Sequence, residues 1–202
     1  MYEGNTFELI LFCLWIYLPG FLVNTFAMMW GKWFPKTGYG PWPIDGGRLH
    51  KDGNRMLGDG KTWNGLVGGS LTSGLLCALM TLIPTSWIFI SPTDGATGWT
   101  ANAFFLGTFL GFTSLVGDST GSYFKRRKGM KREGDVSSKA PLLDTLPFAI
   151  SVFVFGQLFL TSAAHGSRTL LLPMALLILI TPILHRSFNL IGYKIGWKDV
   201  PY

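Results

Sequence analysis

Two polar stretches interrupt an otherwise oily chain, and each carries charges at spacings that chemistry can use. The first, PIDGGRLHKDGNRMLGDGKTWNGLVGG at residues 43–69, sets Asp45, Asp52 and Asp59 among glycines, together with Arg48, Arg55 and Lys61. Closely spaced glycines let backbone N–H groups approach a phosphate, and the cations offset its charge. The GDGKT segment is not a P-loop: that pattern needs a glycine five residues before Gly60, where the chain has Arg55, and a preceding strand that nothing here predicts. What remains is a loop suited to a nucleotide phosphate with its metal. The plainer alternative is a solvated loop whose charges only fix membrane orientation, a task for which the glycines are superfluous.

The second stretch, VGDSTGSYFKRRKGMKREGDVSSKAPLLDTLPF at 116–148, places Asp118 near its start and Asp144 near its end. Between them FKRRKGMKR packs six basic residues into nine. Such a run binds anionic lipid headgroups, anchors topology, or grips a triphosphate. Aspartates bracketing cations match a reaction between two phosphate-bearing substrates, in which metal and cations neutralise both anions so that one can attack the other. Mg²⁺ is the expected metal, because it combines few protein carboxylates with phosphate and water oxygens; Asp118 and Asp144 are its candidate ligands, with Lys125, Arg126 and Arg127 holding the remaining negative charge. A phosphate nucleophile is already anionic near neutral pH, so no general base is required. His50, His165 and His185 lack the i, i+4 spacing of a helical metal pair and are read as bland.

These residues have to be positioned by a membrane-embedded frame. Only 14% of the 202 residues are charged while 48% are hydrophobic, against roughly one quarter charged in soluble domains. Apolar runs long enough to cross about 30 Å of hydrocarbon are expected near 6–30, 65–90, 100–117, 146–164 and 169–190. The expectation is therefore one all-α integral membrane domain over 1–202, with five transmembrane helices and two polar loops, 31–64 and 118–145, forming the site. The first run is no signal peptide, since no basic residue precedes it and no small-residue cleavage site follows. Of the 17 Lys and Arg, six lie in 31–64, seven in 118–145 and three after residue 185. Basic loops stay inside, so both polar loops and the carboxyl terminus are expected in the cytoplasm and the amino terminus outside.

Within the helices the signals are mostly about packing. Gly65, Gly69 and Ser73, and again Ala103, Gly107 and Gly111, recur every fourth residue, the spacing that lets membrane helices approach closely within one chain or between two copies, so a homodimer stays among the expected partners. Pro19, Gly20, Asn24 and Gln157 are polar or helix-breaking residues inside hydrocarbon and need internal partners. Cys13 and Cys77 read as small core residues without a disulfide or metal role.

The two loops together carry a resemblance. PIDGGRLHKDGNRMLGDGKTWNGLVGG, followed by GDSTGSYFKRRKG and PLLD, and joined by YLPGFLVN in the first span, resembles the CDP-archaeol synthases and, more distantly, the CDP-diacylglycerol synthases. The resemblance implies a polytopic enzyme that transfers CMP from CTP to the phosphate of an unsaturated isoprenoid ether lipid, releasing pyrophosphate and using Mg²⁺. Its motifs fall on Asp45, Gly46, Asp52 and Gly53, on Lys61, Thr62, Trp63, Gly65, Gly68 and Gly69, on Gly117, Asp118, Gly121, Ser122, Lys125, Arg126 and Arg127, and on Asp144. Of these, Asp118, Asp144, Lys125 and Arg126 are expected to be catalytic. The nucleotide is assigned to Asp45, Asp52, Gly53, Arg55, Lys61, Thr62, Gly65, Gly68, Gly69, Ser122 and Arg127. The chain lacks the His-Gly-Gly of the diacylglycerol enzymes, which points to the archaeal branch, and departs from that branch's pattern at Thr145, where archaeal relatives commonly have Gln. CTP, the lipid phosphate and membrane lipids are the expected partners, and nucleic acid is not. The runner-up is a CTP-dependent polyprenol kinase. A transporter is disfavoured, since the charges gather in loops and five spans do not split into equal halves.

Overall fold

A computed structural model describes residues 5–83, 97–130, 140–160 and 169–196. Over them run α1 (Thr6–Lys32), a short 3-10 helix (Phe34–Thr37), α2 (Trp63–Met80), α3 (Thr97–Arg127), α4 (Pro141–Phe159) and α5 (Leu171–Lys194). Among the described residues there is no strand, only the isolated bridges Pro43 with Thr62 and Leu49 with Arg55. Helix α1 packs on α2, α2 on α3, and α3 on α4, while α5 lies against α4 and α1.

The helix ends follow local chemistry. The Asn5 side chain accepts from the Phe7 amide to cap α1, and the Thr62 hydroxyl accepts from the Gly65 amide to cap α2. Pro141 and Asp144 occupy the first turn of α4, where a missing N–H and a negative charge are both favourable. Helix α3 departs most from expectation. The span predicted over 100–117 continues to Arg127, so Asp118, Ser122 and the first half of the basic run are helical rather than looped. Lys125, Arg126 and Arg127 fall in its last turn, where cations complement the helix dipole, and Gly129 follows in a left-handed conformation. Likewise α4 begins at Pro141 rather than 146 and α5 ends at Lys194 rather than 190. Residues 84–90 and 161–164 of the expected second and fourth spans, and 131–139 of the second polar stretch, lie outside the described residues.

The bundle is small on the inside and bulky on the outside. On α2 the buried residues include Gly65, Gly69, Ser73, Gly74 and Cys77, whereas Val67, Leu71, Leu75 and Leu79 face outward at every fourth position. A Cβ on Gly107 would collide with Cys77 and the Ser73 carbonyl, and one on Gly111 with the Ser73 side chain, so both small-residue stripes are consumed within the chain. Gly69 lies against Ala27 of α1 in the same way. The core proper collects Phe12, Ile16 and Tyr17 of α1, Leu110 of α3, Val152 and Phe153 of α4, and Met174 and Leu177 of α5. Gly156 makes room for the Tyr17 ring, and Ser73 donates to the Pro19 carbonyl at 2.8 Å. Among the described residues, α1 with its 3-10 extension (Thr6–Thr37) and Leu142–Phe159 of α4 are long and apolar enough to cross a bilayer. Helices α2 and α3 miss that criterion because glycine, serine and threonine fill their inward faces and α3 ends in charges. Their outward residues, Phe105, Phe109 and Phe112 among them, are as apolar as those of the other helices. An apolar exterior of this extent is what a bilayer covers.

Candidate active site

Residues 43–62 fold into a compact loop around one buried carboxylate. Asp45 accepts from the amides of Gly47, Leu57 and Gly58 at 3.0–3.1 Å and takes Arg55 Nη2 at 2.6 Å and Nε at 3.2 Å. Burial alone would raise its pKa, but Arg55 and the three amides outweigh that and hold the carboxyl well below the usual range. Arg55, whose own pKa is pushed up chiefly by its hydrogen bond to Asp45, also bonds Asp59 at 2.6 Å. Asp45 and Arg55, both expected at the nucleotide, bond each other and hold the loop together. Gly53, with φ +77°, sits in the tight turn between Leu49 and Arg55, a conformation that suits glycine.

This loop runs along the carboxyl-terminal end of α3. At 100° per residue, Asp118 and Lys125 lie on one face of that helix, two turns and about 10 Å apart, while Arg127 projects roughly 180° from Asp118. The loop meets α3 on both sides. Lys61 forms an ion pair with Asp118, Gly58 lies against the Arg126 guanidinium, and Arg127 reaches Asp52 at 2.7 Å and the Arg55 carbonyl at 2.7 Å. Asp52 is held below the ordinary carboxylate range by the Asn54 amide, with Arg127 adding to the effect.

Helix α4 closes the other flank. Gly117 and Gly121 of α3 press on the Pro147 and Leu143 carbonyls, contacts that no Cβ would allow, and this brings Lys125 into an ion pair with Asp144. Lys61, Asp118, Lys125 and Asp144 thus come from a loop, one helix face and a second helix to form an alternating row of charge. Ser122 lies between Asp118 and Lys125 in the sequence of that helix and is buried. Arg126 turns one terminal nitrogen to the Met130 carbonyl.

The three glycines after Lys61, expected at the nucleotide and, for Gly65 and Gly69, also at a close helix contact, lie at such a contact. A Cβ on Gly65 would meet the Ala27 carbonyl and one on Gly68 the Trp30 ring, so Gly65, Gly68 and Gly69 seat α2 on α1, and Thr62 serves as the α2 cap. Two contributors went unrecognised in the sequence. Asn64, buried in the first turn of α2, accepts from the Trp42 amide at 3.1 Å and anchors the loop entry; a polar residue two positions after the Thr62 cap is the available signal. Tyr123 lies 5.2 Å beneath the Arg127 guanidinium, and its place four residues earlier on the helix was the clue.

Among the described residues no group of three or more His, Cys, Asp or Glu could hold a metal. The donors present are two aspartates, each already holding an ammonium group where a cation would sit. Hard oxygen donors, few in number, leave the rest of a coordination sphere to phosphate and water, which fits Mg²⁺ and suits neither zinc nor an all-protein calcium cage.

Comparison with known proteins identifies the family. The family model for CarS-like CDP-archaeol synthase matches residues 6–202. The chain belongs to that family. Curated CDP-archaeol synthases from Methanospirillum hungatei and Thermococcus onnurineus are 37% and 36% identical to it, over 92% and 96% of this chain and 99% and 97% of theirs. A solved structure, an intramembrane enzyme for archaeal membrane lipids biosynthesis, superposes with a TM-score of 0.60 and 26% identity, covering 88% of this chain and 92% of its own. The chain is thus a membrane cytidylyltransferase of archaeal lipid synthesis, as the loop motifs implied, and the kinase and transporter readings fall away.

Proposed function

We propose that the row Lys61–Asp118–Lys125–Asp144 is where CMP passes from CTP to the phosphate of an unsaturated isoprenoid ether lipid, giving CDP-archaeol and pyrophosphate. The observation that carries this reading is the common face of α3, which puts a carboxylate and an ammonium two turns apart and gives each an opposite charge from a different element.

Asp118 and Asp144 would hold Mg²⁺, which when bound polarises the phosphates and offsets the charge of departing pyrophosphate. Lys61 and Lys125 would hold the triphosphate and the lipid phosphate, so that two anions can approach each other. Arg126 lies beside them at the helix end and adds positive charge. The lipid phosphate is itself the nucleophile, and no side chain needs to remove a proton from it.

The rest of the reading is topological. Five spans with the amino terminus outside bring 31–64 and the start and end of 118–145 to the cytoplasm as one domain, where CTP is available and the lipid phosphate emerges from the bilayer. With the small-residue stripes occupied inside the chain, a homodimer would have to form through other faces, and the reaction requires none. The test uses purified protein, CTP labelled at the α- or the γ-phosphate, and a panel of lipid phosphates. Label must enter the ether lipid from the α-position only; transfer from the γ-position, or indifference to the lipid phosphate, would refute the assignment.

A further inference from the structure

We propose that Arg127 is a positioning residue that docks the 43–62 loop on α3 and so delivers Lys61 to Asp118, rather than a contact to the nucleotide. The inference rests on the site reading above and deepens it.

Helical geometry is the first argument. Nine residues after Asp118, Arg127 points to the opposite side of α3, about 13 Å further along its axis, away from the face that carries Asp118 and Lys125. The second argument is its occupancy. Nη1 donates to Asp52 at 2.7 Å, Nη2 donates to the Arg55 carbonyl at 2.7 Å and lies 3.4 Å from the Asn54 carbonyl, and the guanidinium covers the Tyr123 ring. Only 17% of the side chain stays exposed. The third is what its partners are. Asp52, Asn54 and Arg55 belong to the turn that the bridge between Leu49 and Arg55 closes, and Arg55 runs on to Asp45, the carboxylate that ties Gly47, Leu57 and Gly58 together. A force applied at Arg127 therefore moves the loop as one body. At the far end of that body is Lys61, whose backbone N–H bonds the Gly58 carbonyl at 3.2 Å and whose carbonyl accepts from Ile44 at 2.8 Å.

Arg127→Lys keeps the charge but loses the fork, and Asp52→Asn removes its acceptor charge from the loop side. Amide hydrogen exchange over 44–58 in nucleotide-free detergent-solubilised protein reads docking without any turnover, so it stands or falls apart from the functional reading. Exchange there is expected to quicken about tenfold in both variants, with α2 amides unchanged. In the same proteins kcat is expected to fall about tenfold for each, with KM for CTP moving less, and the double variant is expected to be no worse than either single one. A nucleotide contact predicts the opposite sign at Asp52, because removing an anion beside a triphosphate lowers KM. Lower KM in Asp52→Asn, additive losses, unchanged exchange, or quickened exchange with normal kcat would each overturn the proposal. If Arg127→Lys is not monodisperse, Asp52→Asn alone decides by the same exchange and KM readings.

Discussion

Lys125 of α3 and Asp144 of α4 form an ion pair with only 6% and 13% of their side chains exposed, at the point where Gly121 lets the two helices touch. A charge that deep is tolerated only while it is paired, so the two residues cannot be altered independently without cost. The same aspartate is a candidate metal ligand, which separates its chemical role from its structural one in an experiment.

Asp118→Asn and Asp144→Asn are each expected to lower turnover by on the order of a hundredfold or more, because an amide keeps the shape but neither charge nor metal affinity. Thermal unfolding followed in detergent should shift less for Asp118, whose lysine partner is more open to water, than for Asp144. Either variant retaining near-normal kcat at ordinary Mg²⁺ would take that aspartate out of the chemistry.

Lys61 has two consequences that run in opposite directions. As the cation now seated on Asp118, it competes with a metal in the absence of nucleotide; as a phosphate ligand, it assists CTP. Lys61→Met should therefore raise the affinity of nucleotide-free protein for Mn²⁺, followed by electron paramagnetic resonance, by about tenfold while raising KM for CTP by a similar factor. Weaker metal binding in that variant would show that Lys61 does not occupy the metal's place.

Asp45 gives a pH dependence. Its folded pKa lies below the unfolded value of about 3.9. A depressed carboxyl contributes stability that is fully present above the unfolded pKa and disappears as pH falls through that value toward the folded one. The 43–62 loop should accordingly loosen below about pH 4, and Asp45→Asn should loosen it already at pH 7, at a cost of about 3 kcal/mol for an Arg55 left without its buried partner. Amide exchange of Leu57 and Gly58 across pH 3–7 checks both. Equal protection in the wild type and the variant at pH 7 would mean the staple is not what orders the loop.

Much of this was readable in the residues, and the misses have physical causes. Apolar runs locate the helices, but hydropathy marks only where a membrane span ends at residue 117 and not where the helix α3 ends at Arg127. In fact a helix that leaves the bilayer can go on in water, and Asp118, Ser122 and Lys125 repeat at the helical period all the same. The loop's acidic and basic residues were identified as a set, but the division of labour between Asp45 with Arg55, which bind each other, and Asp118 with Lys61, which meet across 57 positions, depends on tertiary contacts that spacing does not carry. Gly65, Gly68 and Gly69 fit two descriptions, nucleotide contact and close helix packing, and the positions of Ala27 and Trp30 account for the second.

The loop grips α3 at Asp118 on one side and at Arg127 on the other, like the jaws of a wrench on a rod. Two holds on opposite sides resist torsion, because turning the helix by a single residue's angle would drag both jaws out of register together. Against α4 the same helix is held differently, by the Lys125–Asp144 ion pair and by glycine-smoothed surfaces that meet side by side. Rotation of α3 about its own axis would therefore cost the Lys61–Asp118 and Arg127–Asp52 pairs together, so the loop and the charged end of α3 are expected to turn as one.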